Sequence, residues 1–193
     1  MLLLARHGET PDNEAELILG RRDPPLSARG REQATLLASR AVAAGILAIW
    51  TSPLLRARQT AAVVAVAVAV EPIVLAELIE SERGAWEGQS QRQIAAESPD
   101  LFKAFEAADP DFVFPDGESL RSQVQRTSSA LTIIAARRQP ALVVAHAGTI
   151  QAALIAIGRR PPPESALAHG KLIPLPWSPG AGGTWPAGAG EQT

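Results

Sequence analysis

The sequence predicts an α/β fold: a three-layer α/β/α sandwich with a mostly parallel central sheet, in a single domain. Three observations carry this. The 193 residues suit one domain and are enough to bury a substantial core. Short apolar runs alternate with segments of helical periodicity, the order that builds βαβ units and a sheet covered on both faces. Two of those runs, Leu2–Ala5 and Leu142–Ala145, lead straight into turns containing His7 and His146. In open α/β sheets ligands sit just past the carboxyl ends of strands.

The elements follow in order. Leu2-Leu3-Leu4-Ala5 is a buried strand bounded by Arg6-His7-Gly8-Glu9-Thr10. Residues 11–25 lack periodicity and read as a long loop, a length that inside a compact domain usually serves function. Ser27 is a suitable N-cap for a helix through Ala44, with Gly45 as its stop, and Ala34, Leu37, Ala38 and Ala41 recur at helical spacing. Ile46–Trp50 is a second strand, closed by Thr51-Ser52-Pro53, and Leu54 opens a helix ending near Ala67. Alternating Ala and Val after it suits helix or strand, and a strand is placed at 70–74, where Pro72 demands an edge position. Residues 91–108 are helical with an interruption at Pro99, and 110–117 form a loop. A long helix over 118–138, a strand over 141–145, a helix over 149–157 and a last strand within 167–176 complete the pattern. The expected catalytic unit spans 1–176, with an excursion or lid at about 89–117. Residues 177–193 are rich in Gly, Pro and Ala and are expected to be a flexible tail.

Composition excludes several classes of function. The formal net charge of −2, with no Lys/Arg cluster interleaved with aromatics, argues against a nucleic-acid surface. The chain has no cysteine, so disulfides, thiolate zinc sites and a Cys nucleophile are out. Arg6 and His7 interrupt the apolar core a signal peptide needs, and the longest apolar segment, Ala61–Val70, falls short of the ~20 residues that span a bilayer. A soluble, cytoplasmic protein with no membrane partner is expected. There is no Gly-x-x-x-x-Gly-Lys loop and no Gly-x-Gly-x-x-Gly after a strand.

The residues at the strand ends suggest phosphoryl chemistry. A guanidinium offers a planar fork of donors to phosphate oxygens, and an imidazole beside it can attack phosphorus. Arg6-His7 is such a pair. Arg56, in the first turn of the helix after the second strand, could meet an anion already favoured by the helix N-terminus, although alone it equally suits a solvated surface. His146 repeats the strand-end context of His7. No metal is expected, because His7, His146 and His169 lack ligand spacing; His169 is read as a loop or strand residue with no catalytic part.

These residues form an ordered set: Arg6-His7-Gly8-Glu9-Thr10, Asn13, Gly20-Arg21, Asp23-Pro24-Pro25-Leu26-Ser27, Gly30, Arg56-Ala57-x-Gln59-Thr60-Ala61, Gly84-x-Trp86-Glu87-Gly88, Gly117-Glu118-Ser119 and His146. The set resembles the histidine phosphatase superfamily, in its phosphoglycerate-mutase-like branch, from residue 2 to about 157. The resemblance implies that His7 becomes phosphohistidine while Arg6, Arg56 and His146 hold the phosphoryl oxygens. It implies a carboxylic acid four residues before the glycine of the Gly-x-Trp-Glu-Gly segment, which is Glu80, with Glu82 as fallback. His146 is expected to be protonated, since it must donate to a dianion. Thr10, Asn13, Gly20, Arg21 and Ala147 match positions that line the phosphate and substrate pocket. Ala147 stands where many relatives have glycine, harmless if its φ is negative and strained if positive. Glu118 and Ser119 suit either a helix cap or pocket contacts, with the cap the simpler role.

The function implied is a phosphomonoester hydrolase without cofactor, acting on a small phosphorylated substrate. Two alternatives stand beside it: a 2,3-bisphosphoglycerate-dependent phosphoglycerate mutase, whose chains are usually longer, and a non-catalytic phosphate-binding scaffold on the same fold. Phe102, Phe105, Phe112 and Phe114 in the excursion serve either an apolar alcohol or internal packing.

Overall fold

Leu2–Arg6 forms β1, buried at all but its last residue, as a strand inside a parallel sheet covered on both faces requires. The computed structural model describes residues 1–177, and the tail expected at 177–193 lies outside them beyond Trp177. The other elements are α1 (Pro11–Glu14), α2 (Ala28–Ala43), β2 (Ala48–Thr51), α3 (Leu55–Val68), β3 (Ile73–Val74), α4 (Gln91–Glu97), α5 (Pro99–Glu106), α6 (Leu120–Ala135), β4 (Ala141–Ala145), α7 (Ala147–Ala156) and β5 (Leu172–Leu175). The strands make one sheet in the order β3-β2-β4-β1-β5. All pairs are parallel except β1–β5.

Side chains alternate across the sheet with the period of a strand. Leu2, Leu4, Trp50 and Val143 face α6 and α7 through Leu131, Ile134, Ile150 and Ala153. Leu3, Ala5, Ile49 and Val144 face α2 and α3 through Leu37, Ala41, Ala61 and Val64. A separate cluster of Ile18, Trp86, Ile94, Phe112 and Phe114 holds the excursion together.

The register places the chemistry. Arg6 pairs with Ala145 across β1 and β4, so His7 and His146 leave the sheet side by side. His7 N–H donates to the Ala145 carbonyl at 2.9 Å. The close approach behind His7 needs glycine on both sides: a Cβ on Gly8 would stand 2.3 Å from the Gly30 carbonyl oxygen, and one on Gly30 would stand 2.0 Å from that of Glu9.

Several boundaries differ from expectation. The 11–25 loop contains a helical turn, α1, because Thr10 and Asn13 form a reciprocal capping box and Pro11 opens it. The second strand lies at 48–51, and β3 keeps only two residues of the expected 70–74. β5 runs antiparallel at the edge, where Pro174 forfeits no needed donor. α7 starts two residues early, with His146 as its N-cap, and α6 is shorter at both ends than 118–138, with Ser119 capping it.

Candidate active site

The carboxyl ends of β1, β2 and β4 open into a cavity of about 330 Å³ that reaches Arg6, His7, Arg56, Glu80, Arg83 and Ala147. His7 is 3% exposed. Its Nδ1 lies 2.7 Å from the carbonyl oxygen of Gly8, which can only accept, so Nδ1 carries the proton. Nε2 then presents its lone pair, and Arg56 donates Nε–H to it at 3.2 Å. Burial, followed by the charges of Arg56 and Arg6, pushes the His7 pKa well below its usual value. The imidazole is therefore held neutral at ordinary pH, with a lone pair on Nε2.

Arg56 is itself 1% exposed. Its Nη2 donates to the Gly20 carbonyl at 2.8 Å, Nη1 donates to that of Arg22, and Asp23 lies 3.6 Å away. Burial lowers its pKa to about 10 against the opposing pull of Glu80 and Asp23, leaving it charged. Arg6 donates Nη1 to the carbonyls of Glu164 at 3.2 Å and Leu167 at 3.0 Å, while its Nε is buried without a partner.

Glu80 is 5% exposed and held from three sides. One carboxylate oxygen accepts from Ser81 N at 2.9 Å and Gln123 Nε2 at 3.0 Å; the other accepts from Gly148 N at 3.1 Å. Behind it Arg126 ties the 77–79 turn in place, donating to the Glu77 carbonyl at 2.8 Å and to that of Ile79, and pairing with Glu118 at 2.8 Å. Glu118 therefore supports the site from outside, and Ser119 is the helix cap rather than a pocket contact.

His146 is fully buried, with its ring 5.2 Å from that of His7. Its Nε2 lies 2.7 Å from Ser52 Oγ, and its Nδ1 has no partner. Burial, then Arg56 and His7, push its pKa well below the usual value. Loss of water and the neighbouring arginines thus disfavour a charge on His146, whose expected protonation would need a bound dianion to offset them.

Among the expected pocket residues, Asn13, Gly20 and Ala147 line the cavity. Thr10 and Arg21 do not. Thr10 is spent on capping α1, and Arg21 turns outward to Glu82 at 3.0 Å. Ala147 is the first residue of α7 and has no positive φ, so its methyl group fits without strain. The glycine the site requires is Gly148, where a Cβ would stand 2.5 Å from Glu80 Oε1.

Two residues given no part by the sequence reading, Arg83 and His169, line the cavity. Arg83, 3% exposed, pairs through Nη2 with Glu164 and lies 3.6 Å from Glu80 Oε2. Burial alone would lower its pKa, but Glu164 and Glu80 outweigh it and raise it. His169 lines the cavity, its Nδ1 2.7 Å from the His7 carbonyl oxygen, and burial beside Arg6 lowers its pKa to about 4. It thus touches the backbone of His7, a contact of which the sequence held no sign. The four phenylalanines pack on Trp86, with ring centroids 5.5–6.3 Å from it, and not on the cavity floor.

Two buried histidines thus stand at adjacent strand ends, beside guanidinium groups and a carboxylate. The model of the histidine phosphatase superfamily (branch 1) matches residues 2–172, and the chain belongs to that superfamily. Its fold and site are those of a histidine-type phosphatase. Phosphoserine phosphatase 1 of Hydrogenobacter thermophilus is 32% identical over 158 residues, covering 81% of this chain and 75% of the relative. A probable phosphoglycerate mutase of Klebsiella pneumoniae is 36% identical over 128 residues, 66% of this chain and 60% of the relative. A bifunctional protein of Mycobacterium tuberculosis, 35% identical over 156 residues, is matched over 78% of this chain and 42% of its own length. The chain thus spans less than two thirds of some curated relatives. Among solved structures, mycobacterial glucosyl-3-phosphoglycerate phosphatase in complex with VO3 superposes with a TM-score of 0.76 at 29% identity, covering 81% of this chain and 79% of the other. A putative α-ribazole-5'-P phosphatase of Escherichia coli gives 0.72 at 27% identity, covering 89% and 87%.

Proposed function

We propose that this protein hydrolyses small phosphomonoesters through a phosphohistidine on His7, with Glu80 as general acid and then base. The observation that carries the proposal is the His7 ring. Its Nδ1–H is fixed on the Gly8 carbonyl, which leaves the Nε2 lone pair facing the cavity beside Arg56.

In the first step Nε2 attacks phosphorus as the ester P–O bond breaks, and protonated Glu80 gives its proton to the leaving oxygen. Arg6, Arg56 and the first amides of α7 at Ala147 offset charge on the equatorial oxygens, where preorganised donors do most of the catalytic work. The unpartnered Nδ1 of His146 is the imidazole atom left to reach phosphate, and a bound dianion supplies the charge that would favour its protonation. In the second step water attacks the phosphohistidine, the P–N bond breaks, and ionised Glu80 takes the water's proton. Phosphate leaves and His7 returns neutral with Nδ1–H still on Gly8. Asn13 and Gly20 serve the substrate pocket, and the excursion at 89–117 forms part of its rim through Gln91.

The test is a phosphomonoester panel read with and without 2,3-bisphosphoglycerate, with a metal chelator present throughout, alongside His7→Ala. Chelator-resistant hydrolysis, its loss in His7→Ala, and acid-labile, base-stable protein phosphate trapped on the wild type are expected. Full activity in His7→Ala sinks the covalent route. Mutase activity far above hydrolysis would instead place the chain with its phosphoglycerate mutase relative.

A further inference from the structure

Ser52 stands where three elements of the site meet. It follows β2, is wholly buried, and donates its N–H to the Val144 carbonyl of β4 at 3.1 Å. Two residues on, Leu54 caps α3, the helix that carries Arg56. The Leu54 N–H donates to Ser52 Oγ at 3.3 Å, and His146 Nε2 lies 2.7 Å from the same oxygen. Those are the two partners of this hydroxyl among the described residues.

Counting hydrogens gives the direction of the shorter bond. A hydroxyl has one proton to give and two lone pairs with which to accept. One lone pair takes the Leu54 N–H. Were His146 to donate through Nε2–H, the Ser52 proton would be left with no acceptor at a wholly buried position, which native interiors avoid. Ser52 therefore donates to Nε2. The proton of an uncharged His146 ring then sits on Nδ1, the buried nitrogen that has no partner within the protein. A second ring proton would land on Nε2 and face the Ser52 proton, so the same contact also opposes the imidazolium.

The two histidines thus offer opposite things to the space they share. His7 is held through Nδ1–H on the Gly8 carbonyl and offers the Nε2 lone pair, while His146 is held through Nε2 and offers Nδ1–H. Their ring centroids are 5.2 Å apart. We propose that Ser52 is a positioning residue that fixes His146 as its Nδ1–H tautomer, so that an uncharged imidazole donates to the phosphoryl group on His7. This deepens the reading of His7 as the nucleophile and rests on it. A bound dianion pulls a second proton towards His146, but a ring whose donor is already in place needs none. Arg6 and Arg56 supply the positive charge, and the tautomer decides whether the imidazole can help at all.

The chain has three histidines, so the ring nitrogens of isotopically labelled protein can be assigned by comparison with His7→Ala and His169→Asn. Long-range proton–nitrogen correlation spectra at neutral pH then read the tautomer directly. The wild-type His146 ring is expected to show a protonated Nδ1 and a bare Nε2, both free and with saturating inorganic phosphate, which should move the Nδ1–H signal downfield. In Ser52→Ala neither nitrogen is held. An Nε2–H form should appear, and kcat for p-nitrophenyl phosphate should fall about three- to tenfold, the effect of one buried hydrogen bond, with KM changed less. A protonated Nε2 in the free wild type, or two protonated nitrogens in its phosphate complex, overturns the proposal, and the wild-type spectrum decides this even if the variant fails to fold. An Nδ1–H signal unmoved by phosphate while those of His7 move overturns it too. So does a folded Ser52→Ala that keeps the single tautomer, or that loses it with kcat unchanged. Wild-type protein that hydrolyses no ester and traps no phosphohistidine removes the catalytic reading, whereas the wrong tautomer in an enzyme that does both removes the role of Ser52 alone.

Discussion

Three things are settled around the His7 ring: which nitrogen holds the proton, where the other points, and that neither is charged. Glu80 complements it from the opposite chemical side, since every partner it has donates to its oxygens. Glu80→Gln keeps the shape but has no proton to give. It should slow alkyl phosphates by about 10²–10⁴-fold and aryl phosphates far less, because a phenolate leaves without assistance. Equal losses on both classes, measured as kcat, would remove the acid role. The buried histidines also carry a stability signature. His7, His146 and His169 all have folded pKa values below the unfolded value, so between those values the unfolded chain binds protons that the folded chain refuses. Stability is then present above about pH 6.5 and falls as pH drops, for His169 over the window from 6.5 down to about 4. Each histidine contributes a slope of up to roughly 1.4 kcal/mol per pH unit. Urea midpoints measured from pH 7.5 to 4.5 should decline steadily, and His169→Asn should flatten the decline.

At the scale of elements, the site is a junction between strand ends and helix starts. α7 begins at His146, so its first amides face the cavity and Gly148 N reaches Glu80. Gly148→Ala would press a methyl group onto the Glu80 carboxylate, the Gln123 amide and Arg83. Misplacement of an acid by about 1 Å costs on the order of 100-fold in kcat, with the fold retained by circular dichroism. Ala147→Gly, one residue earlier, should change kcat by less than about threefold, since Ala147 already fits helical φ and the substitution only loosens one turn. The sequence pointed to Ala147, which lines the cavity, and gave no sign of the tighter constraint on Gly148. It shows which residues follow His146, but not that a carboxylate from 68 residues upstream lies against the second of them. Strand and helix order, by contrast, was legible almost throughout, because apolar runs and helical stripes are written locally. α1 was missed, being a single turn whose cause is one capping box.

The whole molecule is a sheet core with an aromatic side unit attached at the mouth of the site. Trp86 lies at the centre of that unit, 4% exposed and surrounded by four phenylalanines. Trp86→Ala should cost about 3–5 kcal/mol in urea unfolding and raise KM more than it lowers kcat, because the rim loosens while the strand ends stay. A loss confined to kcat would mean that the unit also positions Glu80. From the sequence alone came the alternation of strands and helices and the two histidines at strand ends, with Arg56 and Glu80 implied by the resemblance to the superfamily. These follow from local periodicity and short motifs, whose physical causes lie within a few residues. Only the tertiary structure decided that β5 is antiparallel, that burial pushes the His146 pKa down, that His169 braces the His7 segment from 162 residues away, and that Arg83 meets Glu164 across 81 residues. Such contacts leave no local trace. Their energies exist only once distant segments share a desolvated cavity, where charge and hydrogen bonding are set by neighbours in space.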